Sequence, residues 1–466
     1  MNDTIAAIAT PYGSGGIGVI RISGPDAVDI AARVFSRTRS RGSLTGSLET
    51  HRVYHGYILD NGEVIDEVLL IPMHAPRSYT AEDVVEIQAH SGTVVLKQIL
   101  ELLLTHGARL AEPGEFTRRA FLNQRIDLTQ AEAVADIINA RSAAALKFAA
   151  AQNLGALKEQ IQDMRRQLIH LLSLVEVCID FPEDTEEQDL TPRGVEILDK
   201  ALDQCREFIR HHTDACFLKE GIRIAICGKP NVGKSSLMNR LLDREKSIVT
   251  AQPGTTRDPI QEGMNMNGIP FVITDTAGIH DTDDLVEIIG IERAKGHIRD
   301  ADLVLFMVEP GTTLSEMEFK KMLPPDKRTL LVINKIDLVR DHEGVQKPGG
   351  PGLPKLPEAC RKFSAVHVSA LHDRGIRQLK EKIVSLCIQD LTLDGSAVIP
   401  NLRHKTALTQ VVSYLEAAKQ GFQTGQPEET LAIDLKNSID SLGTITGETA
   451  SLDILESIFN NFCIGK

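Results

Sequence analysis

Gly228-Lys229-Pro230-Asn231-Val232-Gly233-Lys234-Ser235 is the stretch whose reading decides the fold, a GxxxxGKS phosphate-loop pattern. Its flanks supply the context such a pattern needs. The apolar run Ile222 to Cys227 predicts a buried parallel strand feeding the loop, and Ser236 to Leu242 predicts the helix leaving it. The glycines let successive amides, those of Val232, Gly233 and their neighbours through Ser236, converge on phosphate oxygens at a positive helix end. Lys234 adds a point charge and Ser235 a magnesium ligand.

Three more motifs follow in order. Asp275-Thr276-Ala277-Gly278 ends a second apolar strand, Phe271 to Thr274. There a carboxylate can face magnesium through water while Gly278 lets an amide approach the terminal phosphate. Asn334-Lys335-Ile336-Asp337 ends a third apolar strand, Leu330 to Ile333, and Asp337 can accept two hydrogen bonds from the guanine N1 and exocyclic amine. Adenine cannot offer that pair. Ser369-Ala370-Leu371, after Ala365 to Val368, supplies the loop expected to close over the base. Each motif falls at a strand's carboxyl end, which predicts a doubly wound α/β unit specific for guanine nucleotides.

A chain of 466 residues implies about three domains at ~150 residues each. No stretch approaches 18 consecutive apolar residues. The amino terminus lacks a charged segment followed by a long apolar one. Both observations lead to the expectation of a soluble, unexported protein. Cys178, Cys205, Cys216, Cys227, Cys360, Cys387 and Cys463 form no CxxC pair, so a reducing cytoplasm fits better than a disulfide framework or a zinc site. The net charge of −13 argues against coating nucleic acid by bulk electrostatics. Any RNA contact is expected to be local or assisted by a partner.

From Thr4 to about Arg125 the texture is mixed, with strands predicted at Ile17 to Ile22, Tyr54 to Leu59, Val68 to Met73 and Val84 to Ala89. A helix from Thr93 to His106 interrupts them, closed by Gly107. After Asp127 the chain turns helical, with Thr129 and Glu132 spaced as a capping box. Ile161, Met164, Leu168, Leu171 and Val175 recur at 3, 4, 3, 4 spacing, which reads as a helical seam. Asp341 to Pro357, loaded with Gly and Pro, reads as a surface insertion within the nucleotide unit. Helical texture resumes through Thr406 to Gln420, Pro427 to Leu442 and Thr449 to Phe462. The expected organisation is an α+β domain at 1–125, a first helical part at 126–220, the phosphate-loop domain at 221–387, and a second helical part at 388–466. The nucleotide domain is thus inserted into an all-α domain, with a hinge expected between them.

Where many switch GTPases carry a water-orienting glutamine after DxxG, this chain has Ile279, whose apolar side chain cannot do that work. Asp281, Asp283, Asp284 and Glu287 are candidate replacements, each weighed against a plain solvated loop charge. A positive group is also needed at the transition state. Arg257, in Gly254-Thr255-Thr256-Arg257-Asp258, is one candidate and a monovalent cation near Asn231 the other. Asn231 reads equally well as a residue that stabilises the turn. Arg37, Arg39 and Arg41 read as a solvated loop before a phosphate contact. Cys463 is read as spectator or pocket wall, and prenylation is rejected because Gly465 and Lys466 follow it with no polybasic neighbour.

Outside the nucleotide unit, Thr4 to Pro11, Gly15 to Gly18, Arg21 to Gly24, Tyr79 to Glu86, Pro113 to Thr117, Ala120 to Asn123 and the ending Phe462 to Lys466 resemble the MnmE (TrmE) family of tRNA-modification GTPases. The likeness covers essentially the whole chain. It implies an amino-terminal domain that binds 5,10-methylene- or 5-formyl-tetrahydrofolate and dimerises, and an FAD-containing partner, MnmG (GidA). Together the two would place a carboxymethylaminomethyl or aminomethyl group on C5 of the wobble uridine of certain tRNAs. The family's folate contacts fall on Arg21, Glu86, Arg125 and Lys466, with Arg125 standing where many members have Lys. Its catalytic acid, twelve residues beyond Asp275, falls on Glu287. Potassium ligands fall on Asn231 and Thr255 by side chain and on Thr250 and Gln252 by carbonyl; magnesium falls on Ser235 and Thr256. In a homodimer closed around GTP and potassium the cation replaces an arginine finger, which leaves Arg257 structural. The rival expectation is a pure switch, such as a ribosome-assembly GTPase without group transfer, and Arg21, Glu86 and the terminal Cys463-Ile464-Gly465-Lys466 count against it.

Overall fold

Alternation along four strands builds the amino-terminal unit. In a computed structural model the chain is described at residues 3–11, 13, 15–39, 48–140, 142–181, 187–242, 261–266, 269–275, 296–324, 327–339, 352, 354–387, 400–460 and 462–465. Contacts group it into two compact units, Met1–Ala135 with Gln152–Asp203 and Thr406–Lys466, and Asp136–Ala151 with Gln204–Lys405.

In the first unit, β1 (Ile5–Ile8), β2 (Ile17–Ser23), α1 (Ala27–Val34), β3 (Phe35–Ser36), β4 (Tyr54–Asp60), β5 (Glu63–Met73), β6 (Val84–His90), α2 (Thr93–Thr105), β7 (Arg109–Leu110) and α3 (Glu115–Leu122) follow in order. The seven strands form one sheet, β3-β4-β5-β6-β2-β1-β7, antiparallel except for β1 against β7. Because strand side chains alternate, Ile20, Ile22, Val85 and Ile87 enter one core with Ile30 of α1 and Ile99 of α2. Arg21 and Glu86 are therefore left on the opposite face, directly across from each other in the β2–β6 register. At that face Ile5, Ala7, Ala111 and Phe116 bury a second, smaller cluster with Tyr79 at its edge.

Helices follow: α4 (Leu128–Asn139), α5 (Ala143–Asn153), α6 (Ala156–Asp180) and α7 (Glu187–Glu220). The capping box at the head of α4 lies elsewhere than at Thr129 and Glu132. Asp127 Oδ1 accepts from the Gln130 amide at 2.8 Å, and Gln130 Oε1 accepts from the Asp127 amide at 3.1 Å. The helix starts two residues earlier than the Thr129 box requires, and the Asp127 carboxylate just before its first residue is well placed to cap it. All five seam residues on α6 are buried.

In the second unit β8 (Ile222–Gly228), α8 (Lys234–Leu242), β9 (Gln261–Met266), β10 (Ile269–Asp275), β11 (Leu303–Val308), α9 (Glu316–Met322), β12 (Thr329–Ile333), β13 (Ala365–His367) and α10 (Ile376–Cys387) build a six-stranded sheet, ordered β13-β12-β11-β8-β10-β9. Five strands are parallel and β9 pairs antiparallel at the edge. The continuous apolar runs of β8, β11 and β12 are what a sheet covered on both faces demands, and Ile224, Leu305 and Val332 are buried there. Phe148 of α5 joins this core. This places 136–151 and 204–220, read from the sequence with the helical part, in the same compact unit as the sheet.

The chain ends in α11 (Leu402–Thr424), α12 (Glu428–Thr446) and α13 (Leu452–Phe459). Within the first unit α12 packs along α6, where Arg165 donates to the Ile439 carbonyl at 3.2 Å and pairs with Glu448. Leu455, Phe459 and Phe462 bury against Leu128 and Ala131. No helix among the described residues is long and apolar enough to cross a membrane.

Candidate functional site

The phosphate loop leaves the central strand β8 and runs into the head of α8, at the carboxyl edge of the sheet where doubly wound folds bind ligands. Two glycines shape it. Gly228 (φ 153°) lies so close to the next strand that a Cβ would meet the Met307 carbonyl at 2.3 Å, and at Gly233 (φ 94°) a Cβ would meet Asn334 Nδ2 at 2.4 Å. Lys234 Nζ donates to the Gly228 and Lys229 carbonyls, each at 3.1 Å, so the ammonium is held on its own loop. Ser235 and Ser236 are exposed at the helix head. Asn231 is left-handed (φ 62°), a conformation Asn tolerates better than most residues. That observation favours a turn role and leaves its exposed side chain available to a cation. Val232 is buried beneath the loop. Behind it, burial pushes the Cys227 thiol up to about 12 and makes it inert. In the next position Lys229 pairs with Glu318 of α9 at 3.1 Å. The Ser315 amide, the Ser315 hydroxyl and Lys229 together hold the Glu318 carboxyl down at about 2.

The base motifs converge on this loop from β12 and β13. Asn334 is 2% exposed; its Nδ2 donates to the Val232 carbonyl at 2.8 Å and its Oδ1 accepts from the Ala370 amide at 3.1 Å. Lys335, also left-handed (φ 60°), pairs with Glu309 at 2.5 Å. The Ser369 hydroxyl donates to Asp337 Oδ1 at 2.5 Å, and His372 Nε2 stands 4.0 Å from the other carboxylate oxygen. Asp275 closes β10 at the same sheet edge. Asn231, Val232, Gly233, Lys234, Ser235, Asn334, Asp337, Ser369 and Ala370 are thus gathered at one edge. Thr250, Gln252, Thr255, Thr256, Thr276, Ala277, Gly278 and Glu287, with the Asp275 side chain, lie outside the described residues.

A second cluster occupies the outer face of the amino-terminal sheet. Arg21 donates from Nε and Nη2 to Glu86 Oε1 at 2.9 and 2.8 Å, with the pair only 17% and 21% exposed. The Arg21 guanidinium also lies 5.1 Å from the Tyr79 ring centre and 5.6 Å from that of Phe116. Arg125 lies 5.1 Å from the same Tyr79 ring, so one aromatic ring serves two cations. Tyr79 is held by a 2.9 Å hydroxyl contact with Thr117. Arg125 is exposed and has no carboxylate partner among the described residues. Lys466 lies outside them, but Ile464 bridges Pro113, and a Cβ on Gly465 would meet the Ile8 carbonyl at 2.4 Å. Beside the cluster, Arg119, 1% exposed, is ringed by Asp3, Glu82 and Glu115. Sequence reading passed over Tyr79 and Phe116 as contributors. The alternation that turns Arg21 outward, together with Phe116 at the head of α3, is the signal that would have found them.

A parallel sheet feeding a phosphate loop, with guanine-reading motifs at neighbouring strand ends, defines a phosphate-loop GTPase. A family model described as "GTP-binding protein TrmE N-terminus" matches residues 4–125, and one described as "MnmE helical domain" matches residues 128–463. The chain is 43% identical over 472 residues to the tRNA modification GTPase MnmE of Carboxydothermus hydrogenoformans, covering 100% of each. It is 44% identical over 476 residues to that of Geobacter sulfurreducens, again covering 100% of each. Among solved structures, Aquifex aeolicus Era bound to GDP.AlF4- is 28% identical across 41% of this chain and 66% of that one, at a TM-score of 0.28. The chain belongs to the MnmE/TrmE family.

Proposed function

We propose that this chain hydrolyses GTP in the service of tRNA modification. As a homodimer, and with the FAD-containing partner MnmG (GidA), it adds a carboxymethylaminomethyl or aminomethyl group to C5 of a wobble uridine in the cytoplasm. The observation that carries this reading is the Arg21–Glu86 pair roofed by Tyr79 and Phe116 in a protein whose nucleotide site is elsewhere in the sequence. A switch that only cycles between GTP and GDP has no use for a second polar and aromatic cluster of this kind. The donors there fit a tetrahydrofolate. The Glu86–Arg21 pair offers both an acceptor and donors to a pterin edge, and Arg125, which has no carboxylate partner among the described residues, offers a cation to a glutamate tail, with Lys466 assigned the same task. The folate supplies the one-carbon unit when bound.

In the nucleotide unit, the amides of Val232 to Ser236 and the Lys234 ammonium hold the phosphates, and Ser235 and Thr256 hold magnesium. In the Asp275-Thr276-Ala277-Gly278 motif the Asp275 carboxylate serves magnesium through water and Gly278 lets an amide approach the terminal phosphate. Asn231 and Thr255 by side chain, and Thr250 and Gln252 by carbonyl, hold potassium, which supplies positive charge at the transferring phosphate. Glu287 orients the attacking water, a task Ile279 cannot perform. Asn334, Lys335, Asp337, Ser369 and Ala370 select guanine. The four-part division at 125/126, 220/221 and 387/388 belongs to this proposal, with nucleotide-driven closure of paired 221–387 domains as its motor. Mass analysis of tRNA from a strain lacking the chain tests it. Loss of the C5 modification, restored by the intact gene and not by an Arg21→Ala copy, is expected; unchanged wobble uridines would overturn it.

A further inference from the structure

Arg240 lies on α8, six residues beyond the phosphate-loop lysine, and its half-buried guanidinium reaches the base-closing loop. Nε donates to the Ala370 carbonyl at 3.1 Å and Nη2 to the Leu371 carbonyl at 3.2 Å. Two consecutive peptides are therefore held from outside by one planar, fixed-fork cation. In a trans peptide the N–H points opposite to the C=O. Anchoring the Ala370 carbonyl on Arg240 thus sets the direction of the Leu371 N–H, which no described residue accepts. Anchoring the Leu371 carbonyl does the same for the His372 N–H, which donates to Ser369 Oγ at 3.3 Å. Ser369 in turn donates to Asp337. On the loop's other side Asn334 accepts from the Ala370 amide.

The two edges of guanine are chemically distinct. The N1–H and 2-amino group are donors and suit the Asp337 carboxylate. The 6-oxo group is an acceptor, needs a donor, and is what separates guanine from 6-amino adenine. We infer that Arg240 is a positioning residue for recognition of the purine 6-oxo group, fixing the Leu371 amide donor of the 369–371 loop from the helix that leaves the phosphate loop. The inference rests on the guanine-nucleotide reading of the site.

The test is equilibrium binding of GDP, IDP and ADP with magnesium to the full chain and to Arg240→Ala and Arg240→Lys. GDP and IDP share the 6-oxo group, and IDP lacks only the 2-amine. Arg240→Ala should weaken GDP and IDP alike by about tenfold and leave ADP unchanged, so that the GDP:ADP preference falls while the GDP:IDP ratio stays constant. Arg240→Lys, whose ammonium can reach one carbonyl but not bridge two, should fall between. An unaltered GDP:ADP preference in both variants would overturn the inference, as would equal weakening of all three nucleotides, which marks simple loss of packing. If the unsubstituted chain does not itself prefer GDP to ADP, the guanine-nucleotide reading falls and the inference with it.

Discussion

Replacing Asn334 by alanine should loosen nucleotide binding without touching a group that meets the phosphates. The side chain joins two loops that are far apart in sequence, donating to the Val232 carbonyl at 2.8 Å and accepting from the Ala370 amide at 3.1 Å. Asn334, Val232 and Ala370 are 2%, 2% and 4% exposed, so water does not readily replace the lost partner. A buried backbone group left unpaired costs about 1–3 kcal/mol, and two such groups together cost about 2–6 kcal/mol. Loops relax more easily than helices, which places the effect near the lower end. A loss of about 2–3 kcal/mol is about 30- to 150-fold in GDP dissociation constant.

Asn334→Asp separates hydrogen bonding from volume. It keeps the shape but turns an oxygen toward the Val232 carbonyl, acceptor against acceptor, and it should bind GDP no better than the alanine variant. Fluorescence titration with N-methylanthraniloyl-GDP on the full chain, with urea unfolding of each variant alongside, makes the comparison. Binding by Asn334→Ala within twofold of the unsubstituted chain would refute the bridge as the organiser of the site, and tighter binding by Asn334→Asp would show that volume alone matters.

Asp337→Asn should exchange guanine for xanthine preference, measured by competition between GDP and XDP; retained guanine preference would mean the base-reading carboxylate is misassigned. GTP turnover should rise when potassium replaces sodium, and Glu287→Ala should cost far more in kcat than in GTP affinity; equal rates in the two salts would sink the cation role, and a loss confined to affinity would point to another acid. Stability should also fall in acid. The Arg109 hydrogen bond holds the Asp3 carboxyl below its ordinary 3.8, with the nearby Arg119 and Arg109 charges adding to it against partial burial. At Glu115 burial pushes upward, but hydrogen bonds from Arg109, the Glu112 amide and Arg119 outweigh it and hold the group below 4.5. A depressed carboxyl contributes stability above its unfolded value and loses it as pH falls through the folded one. Urea midpoints should therefore drop from about pH 5 to about pH 3, and less so in Glu115→Gln; parallel curves would refute the assignment.

Elements with a period of their own were legible in the sequence. The strands that became β2, β4 and β6 were read within one residue at each end, and all five positions of the α6 seam are buried as spaced. The losses have a common cause, which is that a tertiary partner decided the matter. β1 is four residues with every side chain buried, so it shows no alternation to read. β9 is an edge strand whose partner is β10. The start of α4 was misplaced because serviceable capping pairs overlap there, and Asp127 with Gln130 prevailed over Thr129 with Glu132. For the sites, the family resemblance named Arg21 and Glu86 but not the rings that roof them. Motif spacing gave Asn334 to the base without showing that its amide is already engaged with Val232, 102 residues away.

That engagement changes what the phosphate loop is in mechanical terms. The 369–371 loop is held from two sides, by Asn334 and by Arg240, and each restraint leads back to the phosphate-loop segment, one to Val232 and the other through α8 to Lys234. Any displacement of the loop by phosphate must therefore pull on the donors that read the base, and a base that fits poorly must pull on the loop. Contacts of this kind resist displacement, because a hydrogen bond weakens steeply with angle and distance. Guanine selection and phosphate binding are then expected to act as one equilibrium in this fold. A triphosphate with the wrong base is expected to bind weakly and also to leave the phosphate loop incompletely organised.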